Sequence, residues 1–260
     1  MRYADKLRDK INKGELNFGT HCSTTEPWYY EMCGLLGYDY IWIENEHMGM
    51  TMPMVQHAIV ATNAGGCAAI VRVQDHSMCN IKPVLEVGPD GMIFPMVNTA
   101  DEARALVELC KYPPRGKRGF GPLRAMDYSN MPLDEYLRTA DDSILLFMQC
   151  ETAESVHNLE EILAVDGVDA ILVGPMDLSG SIGKMGQFED PEVKDLFQQI
   201  IDKCKAAGKP FGMSIGLNYD LVHFFIDQGA SFATMGTPQD YFFTMSKEVV
   251  KTVREIEKNR

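Results

Sequence analysis

Short apolar runs, rich in β-branched and aromatic residues, recur along the chain. Each is followed by a longer segment whose apolar residues return at helical spacing. The runs are Asn17–Cys22, Tyr40–Glu44, Ala68–Gln74, Gly91–Met96, Ile144–Cys150, Ala170–Gly174, Pro210–Ile215 and Phe232–Gly236. Helix-like segments between them include Asp101–Lys111, Glu154–Val165, Asp190–Ala207 and Asn218–Gln228. Gly88, Gly167, Gly208 and Gly229 each follow such a segment and precede a run, the place of a helix C-cap. Strands alternating with helices predict a mostly parallel sheet. Eight strands in 260 residues favour a closed (β/α)8 TIM barrel, which takes about 250 residues, over an open doubly wound sheet. The chain is read as one barrel domain over residues 1–260.

Lys111–Tyr136 is the longest stretch without clear periodicity, and it contains YPPRGKRGFGPLRAMDY. It is expected on the face where barrel active sites lie, either as a functional loop or as a surface or subunit contact. Its GFGPLR stretch lacks the last glycine of a dinucleotide fingerprint and does not follow a strand, so it is set aside.

Composition narrows the class. Hydrophobic residues make up 45% and charged residues 23%, which suits a globular protein. No apolar run reaches the roughly 18 residues of a membrane span, and MRYADKLRDKINKGEL has no apolar core of a secretory signal. The net charge of −13 argues against nucleic acid as a partner and sets a puzzle, since it should repel anionic substrates. The seven cysteines form no CxxC pair, and most sit in apolar runs, so a reducing, cytoplasmic setting is expected.

Barrel active sites gather at the C-terminal ends of strands. The polar residues closing the runs are therefore the candidates. They are Glu44, Glu46 and His47 after strand two, Arg72 and Gln74 after strand three, Gln149 and Glu151 after strand five, Asp177 after strand six, and Ser214 on strand seven. Each could instead cap a helix or form a structural ion pair. Charges closing buried runs are costly unless paired or bound to metal, and here they share one rim. Glu151 and Asp177 are 26 residues apart, about one strand–helix repeat, so they can share a cation. Oxygen ligands alone suit Mg²⁺ or Mn²⁺. Arg72 can hold a carboxylate through its forked donors, as can the helix start after Gly174. His47 is the candidate general base. His21 and His76 are weaker candidates, while His57, His157 and His223 fall on helix-like segments.

These strand ends sit within GYDYIWIENEH, IVRV, VGPDGMIFPMVNTADEA, YPPRGKRGFGP, MQCET and GVDAILVGPMDLS. Over nearly the whole chain, Leu16 to Glu248, the sequence resembles the HpcH/HpaI aldolases, metal-dependent class II pyruvate aldolases typified by 4-hydroxy-2-oxoheptanedioate aldolase. The resemblance implies a barrel whose C-terminal helix is swapped between subunits, in a homo-oligomer built as a dimer-based hexamer. It implies reversible cleavage of a 4-hydroxy-2-oxo acid to pyruvate and an aldehyde through a metal-bound enolate. Glu151 and Asp177 would hold the divalent cation, Mg²⁺ or Mn²⁺, with Co²⁺ also possible. Arg72, Gln149 and the Met176 and Asp177 amides would bind the pyruvyl unit, and His47 would move the proton. Glu86 would orient His47 from across a subunit boundary. The family usually has Asp at Glu44, often Asp at Glu86, and a larger apolar residue at Ser214, on the aldehyde side. No lysine joins the strand-end set, which speaks against Schiff-base chemistry. Two alternatives remain. One is a related lyase or condensing enzyme for oxaloacetate or malyl/citryl-type substrates, with Arg115, Lys117 and Arg118 lining a coenzyme A channel. The other is a non-catalytic barrel.

Overall fold

The computed structural model describes residues 3–259. Its eight strands are β1 (Asn17–Cys22), β2 (Tyr40–Glu44), β3 (Ala68–Arg72), β4 (Gly91–Phe94), β5 (Leu145–Cys150), β6 (Ala170–Val173), β7 (Phe211–Ile215) and β8 (Phe232–Met235). All pair in parallel with their sequence neighbours, and β8 closes on β1, so the fold is a (β/α)8 barrel. The helices are α1 (Tyr3–Asn12), α2 (Pro27–Leu35), α3 (Met52–Ala64), α4 (Met78–Val87), α5 (Ala100–Cys110) and α6 (Leu133–Thr139). They continue as α7 (Ala153–His157), α8 (Leu159–Leu163), α9 (Pro175–Ser181), α10 (Pro191–Ala206), α11 (Tyr219–Asp227) and α12 (Pro238–Lys258). The helix expected over Glu154–Val165 is two helices. Asn158 ends one and starts the next, and its side-chain amide donates to the Asn98 carbonyl at 2.9 Å.

Strand periodicity explains the core. Successive side chains point to opposite faces. Tyr40 and Trp42, Ala68 and Ile70, Leu145 and Phe147, Ala170 and Leu172 pack inside the barrel. The alternate residues Ile41 and Ile43, Ala69 and Val71, Leu146 and Met148, Ile171 and Val173 pack outward against the helices. Ala4 and Leu7 of α1 join the inner cluster and are almost fully buried. Gly88 caps α4 at φ 76°, and Gly167, Gly208 and Gly229 also have positive φ, as helix ends require.

The segment 111–136 is not on the active-site face. It follows α5, which has already carried the chain back to the N-terminal ends of the strands. There the Leu123 amide donates to the Glu86 carbonyl at 3.0 Å. Arg124 donates to the Gly88 carbonyl at 3.1 Å and to Asn63 Oδ1 at 2.6 Å, at the ends of α4 and α3. The segment carries the short 3-10 stretch Arg124–Ser129, with Asp127 and Tyr128 both at positive φ, and then α6.

Candidate active site

The inward columns of the barrel end in polar residues. Glu44 continues Tyr40–Trp42, Arg72 continues Ala68–Ile70, and Gln149 and Glu151 continue Leu145–Phe147, all by the same parity. Register places Glu44 directly beside Arg72. Gln74, two residues past the end of β3, is exposed.

Glu44 organises one half of the site. Its Oε2 accepts from Arg72 Nε at 2.7 Å and from Trp42 Nε1 at 3.2 Å, and lies 2.7 Å from His21 Nε2. Its Oε1 accepts from the Glu46 and His47 amides at 2.7 and 2.8 Å, which fixes the turn after β2. Burial alone would raise its pKa, but the hydrogen bond to His21 and the charge of Arg72 outweigh burial and hold the carboxyl at about 2. Arg72, itself 5% exposed, also pairs with Glu46 at 2.8 Å and reaches Gln149 Oε1 at 3.4 Å.

Glu151 is 2% exposed. It accepts from the Met96 amide at 2.6 Å and from the Gln149 side-chain amide. Met96 sits at φ 52°, an uncommon conformation for a non-glycine residue, which here serves to aim that N–H. Burial pushes the Glu151 carboxyl up to about 7, against the Met96 bond and with the neighbouring Asp177 charge adding to the rise. Gly174 makes the approach possible. A Cβ there would stand 2.6 Å from Glu151 Oε2 and 2.9 Å from Gln149 Nε2. Pro175 then starts α9, which puts Asp177 in its first turn, exposed to the cavity.

These side chains surround a cavity of roughly 150 Å³ at the C-terminal ends of the strands. Arg72, Gln149, Met176, Asp177, His47 and Ser214 all line it, together with His21 and Trp42. His47 is open to solvent, with its side chain 68% exposed and Nε2 3.7 Å from Glu46 Oε2. A larger cavity, roughly 340 Å³, lies at the opposite end beside Asn63, Arg118 and Arg124, away from these residues.

The donor set fits a hard divalent cation. Two carboxylates lie near enough to interact: Glu151 is buried, and its pKa is raised by burial first and by the Asp177 charge as well. No group of three or more His, Cys, Asp or Glu able to hold a metal occurs among the described residues. A cation here would take two protein ligands and complete its shell with water or substrate.

Glu86 and the basic cluster lie outside this cavity within one copy of the chain. Glu86 closes α4 at the opposite end of the barrel, so the chain does not bring it to His47 by itself. Both its carboxylate oxygens are buried without a hydrogen bond, and Arg118 is 3.6 Å away. The basic cluster lies at that same end and is paired: Arg115 with Asp142 at 2.8 Å, Lys117 with Glu108 at 2.9 Å, and Arg118 with the Tyr136 hydroxyl at 3.2 Å. None of the three lines the cavity at the strand C-termini of the same copy.

The inward parity of His21 with Asn17 and Gly19 is legible in the sequence, but its pairing with Glu44 is a tertiary fact. The Met96 amide carried no signal at all.

A family model described as HpcH/HpaI aldolase/citrate lyase matches residues 18–243. A 4-hydroxy-2-oxovalerate aldolase of Novosphingobium aromaticivorans is 35% identical over 244 residues, covering 94% of this chain and 91% of that protein. A 2-keto-3-deoxy-L-rhamnonate aldolase of Escherichia coli is 33% identical over 230 residues, covering 88% and 86%. The crystal structure of an HpcH/HpaI aldolase from Desulfitobacterium hafniense DCB-2 matches with a TM-score of 0.90 at 27% identity, covering 96% of each chain.

Proposed function

The chain belongs to the HpcH/HpaI aldolase/citrate lyase family and is an enzyme of the carbon–carbon lyase class; from that premise we propose that it reversibly cleaves a 4-hydroxy-2-oxo acid to pyruvate and an aldehyde. One observation carries this reading. Arg72, Gln149, Asp177 and His47 line one cavity at the strand C-termini, with Glu151 buried beneath it.

Arg72 and Gln149 orient the pyruvyl carboxylate and 2-oxo group, with the Met176 and Asp177 amides at the start of α9. Glu44 keeps the Arg72 fork rigid and fixes the turn carrying His47. His47 takes the proton of the 4-hydroxyl. The C3–C4 bond then breaks, its electron pair moves toward the 2-oxo group, and C3 takes up a proton. The products are pyruvate and the aldehyde, with no net change in atoms or electrons. Glu151 and Asp177 would hold a divalent cation, Mg²⁺ or Mn²⁺ with Co²⁺ as a third option, which supplies Lewis acidity toward the 2-oxo group.

A panel of 4-hydroxy-2-oxo acids, assayed for pyruvate release with each metal, tests the reading. Glu151→Gln should lose metal-dependent release. Full activity of that variant in EDTA would overturn the mechanism. Turnover of a citryl or malyl thioester in place of every 4-hydroxy-2-oxo acid would favour the lyase alternative.

The same reading extends to assembly. Helix α12 buries none of its residues, and Phe242, Phe243, Val249, Val250, Val253 and Ile256 are exposed on it. An apolar face of that size supports a homo-oligomer, a dimer-based hexamer with α12 swapped between copies. In that assembly Glu86 of one copy reaches His47 of another, which would give its carboxylate the hydrogen bond it lacks within the chain. Light scattering on the purified protein tests the mass, and a monomer would overturn it. No helix of the described residues is long and apolar enough to cross a membrane. All seven cysteines are free, which supports a reducing, cytoplasmic setting.

A further inference from the structure

Glu151 is held by a peptide group whose own placement needs a cause. Its Oε1 accepts from the Met96 amide at 2.6 Å, and Met96 stands at φ 52° in the loop after β4. The left-handed conformation crowds the Cβ of any L-residue, so the surroundings must impose it. The Met96 side chain is exposed, and its packing therefore does not supply that constraint.

Two other side chains grip the turn. The Pro95 carbonyl and the Met96 N–H belong to one planar trans peptide and point in opposite directions. His76 Nε2 donates to that carbonyl at 2.6 Å from the loop between β3 and α4, while the N–H on the other side meets Glu151. A carbonyl only accepts, so Nε2 is the protonated nitrogen. Asn98 holds the next carbonyl. Its Nδ2 donates to the Met96 oxygen at 3.2 Å, and its Oδ1 accepts from the hydroxyl of Thr152, the residue after Glu151. The Asn98 backbone is fixed in turn: its N–H donates to Glu102 Oε2 at 2.8 Å, and its carbonyl accepts from Asn158 Nδ2 at 2.9 Å. Two links thus join the two loops, one through the Glu151 carboxylate and one through Thr152 and Asn98.

The consequence falls on the other carboxylate oxygen. Glu151 Oε2 accepts from the Gln149 side-chain amide and lies 2.6 Å from where a Cβ on Gly174 would stand. It therefore faces the β6–α9 junction, which carries Asp177. With Oε1 taken by the turn, the carboxylate is held in one rotational setting.

We propose that His76 and Asn98 are positioning residues: they hold the Pro95–Met96 peptide so that Glu151 presents Oε2 toward Asp177, preset for a divalent cation. Neither residue lines the cavity, and both act through the Met96 N–H. The inference rests on the reading of Glu151 and Asp177 as the metal pair.

Mn²⁺ binding to the protein without substrate tests it, followed by calorimetry and by the EPR signal of free Mn²⁺. Asn98→Ala and His76→Phe should each weaken binding by about 10-fold or more. His76→Gln keeps a donor near the Nε2 position and should restore most of the affinity. Glycine enters the left-handed region freely, so in a Met96→Gly background Asn98→Ala should cost about 3-fold at most. Pyruvate release by Asn98→Ala should approach the native kcat at saturating Mn²⁺, a recovery that a lost fold would not allow. If Asn98→Ala does not fold, Thr152→Val carries the test, and it should weaken Mn²⁺ several-fold. Native Mn²⁺ affinity in both Asn98→Ala and His76→Phe would overturn the positioning role and leave the metal pair standing. So would an equal loss from Asn98→Ala in both backgrounds, because Asn98 would then not act through the Met96 turn. No Mn²⁺ binding by the native protein, or native affinity in Glu151→Gln, would defeat the metal reading and this inference together.

Discussion

A single carboxylate ties the site together at the scale of the residue. Glu44 receives His21, Trp42, Arg72 and two backbone amides. Its pKa falls from 4.5 to about 2 on folding. A carboxylate with a depressed folded pKa contributes stability that is complete above its unfolded pKa and is lost as pH falls through the folded one. Between about pH 5 and pH 2 the protein should therefore lose roughly 3 kcal/mol from this group. Urea unfolding across that range should show the loss in the native protein and a flatter profile in Glu44→Gln. At neutral pH the same variant should be less stable by about 3–5 kcal/mol, since it breaks a buried pair. His47 sits differently, exposed and without a tight partner, so His47→Asn should leave the fold alone and lower pyruvate release by roughly 10²–10⁴. A circular-dichroism melt beside the activity assay separates the two variants.

At the scale of the element, the barrel strands work as columns. A buried strand alternates inner and outer residues, so the last inward position of each column lands at the cavity floor. The site thus inherits its geometry from the same parity that packs Trp42 and Phe147 inside. The β6–α9 junction shows how little room is left. Gly174→Ala would force a methyl group between Glu151 and Gln149. Pyruvate release should fall at least about tenfold, since displacements near 1 Å carry large penalties, while the barrel still forms. Kinetics and circular dichroism on that variant check both halves; unchanged kcat/KM would mean that the two side chains can move apart freely. Element boundaries also explain the misplaced loop. Lys111–Tyr136 follows β4 in sequence order, but α5 intervenes and reverses the chain. The loop therefore belongs to the N-terminal face, with Glu86 and the paired basic cluster.

The whole molecule sets the conditions under which the site works. Four carboxylates, Glu44, Glu46, Glu151 and Asp177, face one guanidinium, Arg72, around or beneath the cavity. The global charge of −13 is thus repeated locally, and a bound cation would invert it. Calorimetric titration with oxamate should show binding with Mn²⁺ present and little without it. The thiols test the packing. Six of seven cysteines are buried and Cys79 alone is exposed. Burial raises Cys22, Cys67, Cys110 and Cys150 from 9.0 to about 12 and Cys33 to about 11. A disulfide reagent near pH 8 should titrate one thiol quickly in the native protein and all seven after unfolding. Because these groups keep their protons in the fold but lose them when unfolded, stability should fall as pH rises above about 9. Denaturation midpoints from pH 8 to 11 measure that slope.

Residue order alone is enough for the strand count, the strand-end polar residues and the nearness of Glu151 to Asp177 across one repeat. Hydrophobic periodicity is local, and a closed barrel turns it directly into position. The sequence could not show that Glu44 holds His21, that a Met96 amide in a left-handed conformation binds Glu151, or that the basic loop lies at the far end. Those depend on which side chains meet across strands and on which way a helix returns the chain. Only the tertiary structure decides such contacts, because they join residues that no local pattern links.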